Sequence, residues 1–317
     1  MIQTSCPICG EIKKKHFLKV KDHKEEAEFN LVQCLSCQLV SLENFPDKEL
    51  LDKYYSDDYH YKVKEDGLVG FMENNLNRAM HKKHLRIIEK YVKTGKILDL
   101  GCGSGYFLTL AKEKKWIPFG VEMSEYASQF AKKRSIPIIN KIITEVTFPK
   151  EEFDVISMFN VLEHMNELNT VLKKNHRWLK KDGILVVEVP NLDSFQMKVF
   201  KEKWIHLDVP RHIFHFKKKS FNKLVQKNGF KIIKEYSLPF SSHEVAGWLH
   251  SLKQSIIRKN KKKVIELKKE IESDEMKKKK SLSIKILMVV LISQILRLFP
   301  EFLNIKPGVK TYILKKV

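Results

Sequence analysis

The sequence predicts an α/β fold: a seven-stranded, mostly parallel sheet with helices on both faces, a small cysteine-bearing module before it and a helical insertion near its end. Three observations carry this expectation. Between residues 96 and 238, short apolar runs alternate with stretches of helical periodicity, the pattern of strands that cross over through helices. A glycine-rich stretch, Gly101 to Gly105, follows one apolar run and opens a helical one. Two Cys-x-x-Cys pairs lie within residues 1–45, outside that alternation.

The elements follow in order. Phe71–Lys93 carries Leu76, Met80, Leu85, Ile88 and Val92 at roughly helical spacing. Lys96–Leu100 reads as a buried strand ending in the glycine-rich turn, and Tyr106–Lys115 as a helix. Ile117–Glu122 is the second strand, and Ser124 is placed to cap a helix over Glu125–Arg134. Ile136–Ile139 and Phe153–Phe159 are the third and fourth strands. In Leu168–Leu179, the residues Leu168, Val171, Leu172 and Leu179 share a helix face. Asp182-Gly183 is expected to end that helix and start a fifth strand over Ile184–Val189. Ser220–Asn228 is a helix stopped by Gly229, Phe230–Ser237 a sixth strand and Val309–Lys315 a seventh. The boundaries that follow are 1–45 for the cysteine module, 46–95 for a connector and helix, 96–238 for the core, 239–307 for the insertion and 308–317 for the last strand.

Hydrophobic residues make up 43% of the 317, enough for a sizeable core and too many for a disordered chain. The formal charge of +21 creates a field that attracts polyanions. The excess is mostly lysine, however, and arginine is the better residue for bidentate phosphate contacts. A solvated surface therefore competes with nucleic-acid binding as the reading of that charge. The N-terminal residues lack a basic stretch followed by an apolar run, so a cytoplasmic location is expected, where thiols stay reduced.

That expectation favours metal over disulfides. Cys6-x-x-Cys9 and Cys34-x-x-Cys37 offer four thiolates, which suit a closed tetrahedral Zn²⁺ site with a structural role. The span between the pairs can form an antiparallel hairpin. Cys102, inside the glycine-rich turn, reads as a packing residue.

The glycine-rich turn suits a nucleotide-like ligand. Glycines let the backbone turn sharply and approach a ligand closely. Glu122 closes the next strand about 20 residues further on, where a carboxylate can bind both hydroxyls of a ribose. Both features fit a dinucleotide as well as S-adenosylmethionine. The wider pattern separates the two. Asp99-x-Gly101-x-Gly103-x-Gly105 resembles the first motif of class I S-adenosylmethionine-dependent methyltransferases, which have a Rossmann-like fold. Phe153-Asp154 with Asn160-Val-Leu-Glu163-His164, Lys181-Asp182-Gly183 and Gly229-Phe230 are similar to later motifs of that family, so the resemblance spans Lys96 to Ser237.

The resemblance implies site roles. Gly101, Gly103 and Gly105 would cradle the methionine end of the cofactor, with Asp99 fixing the loop. Glu122 would take the ribose diol, Met123 would lie beside the adenine, and Asn160 would face the methionine portion. In the similar ubiquinone-biosynthesis O-methyltransferases, a Glu-x-x-Glu-His stretch holds a divalent metal; here the first of those positions is Asn160. His164 is a candidate base by its place after the fourth strand, and structural packing is the alternative. Trp204 to Phe216, with Pro190-Asn191 before it, resembles methyltransferases of surface-polysaccharide biosynthesis, where this stretch covers the acceptor side. His212 and Asp208 are the candidates there to contact a hydroxyl, against a purely structural loop. Tyr54-Tyr55 to Tyr59 resembles the segment that precedes the catalytic domain in the same enzymes.

Near the C-terminus, a lysine-rich helix over residues 253–280 and an apolar one over 286–299 suit an anionic membrane surface. An insertion packed on the domain or on a partner subunit is the competing arrangement. The leading expectation is methyl transfer to a small-molecule or glycan acceptor, at a sugar or other hydroxyl. An RNA methyltransferase is the rival, weakened because Asn160-Val-Leu-Glu163 lacks the prolines of base-modifying enzymes. A non-catalytic, zinc-containing membrane adaptor is a third class. The intact Asp99, glycines and Glu122 argue against it.

Overall fold

A computed structural model describes residues 5–22, 27–54, 67–238, 243–245, 247–252, 254–255 and 306–317. In chain order its elements are β1 (Lys14–Lys21), β2 (Glu28–Cys34), β3 (Val40–Leu42), α1 (Lys48–Tyr54), α2 (Gly67–Ile88), β4 (Lys96–Leu100), α3 (Tyr106–Glu113), β5 (Ile117–Val121), α4 (Glu125–Lys133), β6 (Ile138–Ile139), β7 (Phe153–Phe159), α5 (Leu168–Trp178), β8 (Leu179–Pro190), α6 (Phe195–Phe200), β9 (Phe214–His215), α7 (Lys218–Lys227), β10 (Phe230–Tyr236) and β11 (Val309–Lys316). Apart from residues 254–255, the lysine-rich and apolar C-terminal stretches, and Tyr55 to Tyr59, lie outside the described residues. Among those residues, no helix is long and apolar enough to cross a membrane.

The main sheet has seven strands in the order β10-β11-β8-β7-β4-β5-β6. Strands β8, β7, β4, β5 and β6 run parallel, and β11 is antiparallel to both its neighbours. The side-chain period of two sends alternate residues to opposite faces. Leu98, Leu100, Ile156, Met158, Leu185 and Val187 join one buried cluster with α5, α7 and the cysteine module. Ile97, Val155, Ile184, Val186 and Ile313 join the other, with α2 and α3. Helices therefore cover both faces. The strand order reverses at β4, flanked by β5 and β7, which opens a crevice at its carboxyl end.

Local sequence explains most boundaries. Ser124 accepts a hydrogen bond from the Ala127 amide and caps α4. Leu168, Val171, Leu172 and Asn175 bury one face of α5. The fifth strand departs from expectation: α5 stops at Trp178, and β8 begins at Leu179, before Asp182-Gly183. Leu179 pairs with Phe153 and Lys180 bonds the Asp154 carboxylate at 2.9 Å, so this stretch is drawn against β7 as strand. Gly183 serves a close approach, since a Cβ there would lie 2.8 Å from the Asp154 carbonyl oxygen.

A second sheet has the order β1-β2-β3-β9. The hairpin β1–β2 lies between the two cysteine pairs. The fourth strand comes from far along the chain: Val40 and Ser41 pair with His215 and Phe214, and the Leu42 amide donates to Ile213 O at 3.0 Å. The cysteine module is thus hydrogen-bonded to the loop between β8 and α7.

Candidate functional site

A cavity of about 750 Å³ opens at the carboxyl ends of β4, β5 and β7. Gly101, Gly103, Glu122, Met123 and Asn160 line it, along with His164, Asp208 and Arg211 from the other side. Gly101 has φ +71, and a Cβ there would lie 2.6 Å from the Val161 side chain, so only glycine fits this turn. Gly105, also left-handed, is the N-cap residue of α3 and starts the helix behind the loop. The loop and the acidic residue are joined directly. The Glu122 carboxylate accepts from the Gly103 and Ser124 amides, each at 2.8 Å, while burial pushes its pKa up. Met123 is 53% exposed at the rim. Tyr126, Ile142 and Ile143 add an apolar wall beside it.

Asp99 sits behind the loop. It is buried, and its carboxylate accepts from Ser157 Oγ on β7 at 2.7 Å. Burial raises its pKa to about 7, only partly offset by that hydrogen bond. It therefore ties β4 to β7 under the glycines, rather than bonding the loop itself.

A smaller cavity of about 320 Å³ is lined by Asn160, His206, Asp208, Arg211, His212 and His243. It shares Asn160, Asp208 and Arg211 with the larger one. The three candidates for acceptor chemistry come together around the shared wall, His164 lining the larger cavity, His212 the smaller and Asp208 both. The His164 and His212 rings stand edge to face with centroids 4.5 Å apart, and His212 Nε2 lies 3.6 Å from Asp208 Oδ2. Arg211 pairs with Asp208. Burial holds the His212 imidazole well below its ordinary pKa. Glu163, on the turn Leu162–His164, is fully buried, and burial raises its carboxyl well above the usual range. One donor atom from each of Glu163, His164 and His212 lies within 4.8 Å of the others.

Sequence reading missed the network beneath Asn160. Glu188 of β8 is 2% exposed and surrounded. His84 Nε2 is 2.8 Å from its Oε2, Thr311 Oγ1 donates to Oε2 at 2.7 Å, and Asn160 Nδ2 donates to Oε1 at 3.1 Å. His243 Nδ1 lies 3.2 Å from Oε1. Burial works against the Glu188 charge, yet the two imidazoles outweigh it and hold its pKa well below the carboxylate range. The available signal was a lone glutamate in the apolar run Ile184–Val189.

The cysteines form a separate cluster. One sulfur each from Cys6, Cys9, Cys34 and Cys37 lies within 4.8 Å of the others, and none is in a disulfide. Gly10 N donates to Cys6 O and Gln38 N to Cys34 O, and both Gly10 and Gln38 have positive φ, so each pair sits on a tight turn. The donor set and its closure are compatible with tetrahedral zinc.

Comparison with known proteins agrees with this geometry. A methyltransferase domain family matches residues 72–235. An uncharacterised protein of Methanocaldococcus jannaschii is 27% identical over 158 residues, covering 50% of this chain and 75% of that protein. A ubiquinone biosynthesis O-methyltransferase of Pelagibacter ubique is 31% identical over 128 residues, 38% of this chain and 53% of that enzyme. The crystal structure of a SAM-dependent methyltransferase from Archaeoglobus fulgidus has a TM-score of 0.50 at 18% identity, over 79% of this chain and 100% of that one, a likeness of fold.

Proposed function

The chain belongs to the methyltransferase domain family, and on that premise we propose that it methylates a hydroxyl of a small-molecule or glycan acceptor. As a class I S-adenosylmethionine-dependent methyltransferase, it takes its methyl group from that cofactor. The observation that carries the acceptor reading is the pair of joined cavities. One is bounded by the glycine loop and Glu122, the other by imidazoles and Asp208, and Asn160, Asp208 and Arg211 form their common wall.

When bound, S-adenosylmethionine supplies an electrophilic methyl on a sulfonium. Gly101 and Gly103 would leave backbone room for its amino-acid end, Glu122, its carboxylate already held by the Gly103 and Ser124 amides, would accept the ribose hydroxyls, and Met123 with Tyr126 would border the adenine. Holding the two reactants in line can contribute ~7–11 kcal/mol to the rate. On the acceptor side, a hydroxyl meets His164, Asp208 and His212, which receive or redirect its proton. The four cysteines would hold one structural zinc, and their module braces the acceptor loop through β3 and β9. A place on the cytoplasmic face of a membrane, acting on precursors of a surface polysaccharide, fits the composition of residues 253–299.

RNA is the weaker acceptor class. The basic cavity formed by Lys150, Arg177, Lys181, Lys231, Lys315 and Lys316 lies at the start of β7 and β8. It is separated from the cofactor crevice by the length of a strand, ~20 Å at 3.3 Å per residue. The test is transfer of radiolabelled methyl from S-adenosylmethionine to panels of nucleotide sugars, lipid-linked glycans, phenols and RNA. Label in a hydroxyl-bearing small molecule or glycan supports the proposal; label confined to RNA refutes it.

A further inference from the structure

We propose that His243 is a further catalytic residue: its imidazole, backed by the buried Glu188 carboxylate, takes the proton of the acceptor hydroxyl as the methyl group is transferred. The proposal rests on the hydroxyl reading above and names the group on which that proton comes to rest. His243 follows β10 in the chain, apart from both the turn after β7 and the loop from Trp204 to Phe216, and it lines the smaller cavity. Its side chain is 35% exposed, and among the described residues Nε2 has no hydrogen-bond partner. The opposite edge of the ring is committed, with Nδ1 3.2 Å from Glu188 Oε1.

Glu188 decides which nitrogen carries the proton. Oε2 receives Thr311 Oγ1 at 2.7 Å and faces His84 Nε2 at 2.8 Å, and Oε1 receives Asn160 Nδ2 at 3.1 Å. Donors on both oxygens suit an ionised carboxylate, which only accepts. Nδ1–H therefore points at Oε1, and the lone pair of Nε2 faces the cavity. Asn160 Nδ2 also lies 2.9 Å from Nδ1, because both donors converge on that one oxygen. The other tautomer would set the Nδ1 lone pair against a negative oxygen. When Nε2 takes a proton, the same carboxylate stabilises the imidazolium, as a carboxylate does behind a catalytic histidine.

The remaining imidazoles of this cavity are less suited to hold the proton. His206 spends Nε2 on the His243 carbonyl at 3.1 Å. The His212 side chain is 8% exposed, and burial opposes its charged form. His212 and Asp208 can direct the hydroxyl toward His243. Asn160 touches His243 and borders both cavities, which places the imidazole at their junction. The step balances there. The acceptor oxygen bonds the methyl carbon as the carbon–sulfur bond breaks, the hydroxyl proton passes to Nε2, and the sulfur leaves without its charge. The exposed edge of the ring then returns the proton to water.

Two measurements test this. Nitrogen-15 spectra of full-length protein labelled at histidine, assigned by loss of the His243 signals in His243→Gln, should show a proton on Nδ1 and none on Nε2. His243→Gln and His243→Ala should each lower kcat by about 100-fold or more on a hydroxyl acceptor that wild type labels. Their S-adenosylhomocysteine affinity should stay within about threefold of wild type, which verifies that they are folded. A resting proton on Nε2, or kcat within about threefold of wild type in both variants, would overturn the proposal and leave hydroxyl methylation standing. Wild type that labels no hydroxyl would overturn the hydroxyl reading itself, and with it this role for His243.

Discussion

Replacing Asp99 with asparagine should stabilise the protein against unfolding above neutral pH while leaving it little changed in acid. The carboxyl is fully buried with one hydrogen bond, from Ser157, and burial lifts its pKa from an ordinary 3.8 to about 7. The sign follows from proton counting. Between these two values the folded state keeps the proton and the unfolded chain has lost it, so folding is favoured by acid. That stability is fully present below pH ~4 and disappears as pH climbs through about 7. The whole span is worth about 4 kcal/mol, of which about 2 kcal/mol falls between pH 5 and pH 7. Asparagine keeps the shape and still accepts from Ser157, but has no proton to lose. The assay is urea unfolding of wild type and Asp99→Asn at pH 5, 6, 7 and 8. Subtracting the two curves cancels histidines and thiols common to both. The variant should gain on wild type steadily up to about pH 7 and then level off. A difference that stays within about 0.5 kcal/mol across the range would refute the buried, protonated carboxyl.

Three further outcomes are expected. Gly101→Ala places a Cβ 2.6 Å from Val161 at φ +71, so it should abolish S-adenosylhomocysteine binding, read by calorimetry; full affinity would show that the turn tolerates a side chain. His84→Ala leaves the Glu188 charge buried with a partner gone, and should cost about 3–5 kcal/mol in chemical denaturation, where a loss below about 1 kcal/mol would mean that Glu188 is not ionised. Stripping metal with a strong chelator removes ~10–16 kcal/mol of binding free energy from the cysteine module. Amide exchange should then speed up at Val40–Leu42 and, through β3–β9 pairing, at Phe214–His215; unchanged protection at Phe214–His215 would separate the module from the acceptor loop.

The parts of this molecule that the sequence made legible are those whose physics is local. Lys96–Leu100 and Phe153–Phe159 are largely buried parallel strands, which leave apolar runs, and the glycine turn leaves residues that no side chain could replace. Ser124 marks a helix start because its hydroxyl answers an amide within its own turn. The start of β8 was misplaced because Leu179–Lys180 is held by a partner strand, and helical periodicity there continues without a break. Strand β9 is two residues long and has no periodicity to read, so its union with β3 was invisible. The candidate site divides in the same way. Gly101, Gly103 and Glu122 lie close in the chain and were found together, whereas the setting of Glu188 joins His84, Asn160, His243 and Thr311 from four other segments. His164 and His212 were each singled out, but nothing in their spacing foretold that a single backbone hydrogen bond, Ile213 to Glu163, brings them side by side.

The most direct test of the central claim is calorimetric titration of the zinc-loaded protein with S-adenosylhomocysteine, wild type beside Glu122→Ala. A carboxylate that accepts two ribose hydroxyls should contribute at least about 3 kcal/mol, so wild type should bind and the variant should bind about 100-fold more weakly or not at all. Equal binding by the two, or no binding by folded wild type, would contradict the assignment of this cavity to the cofactor.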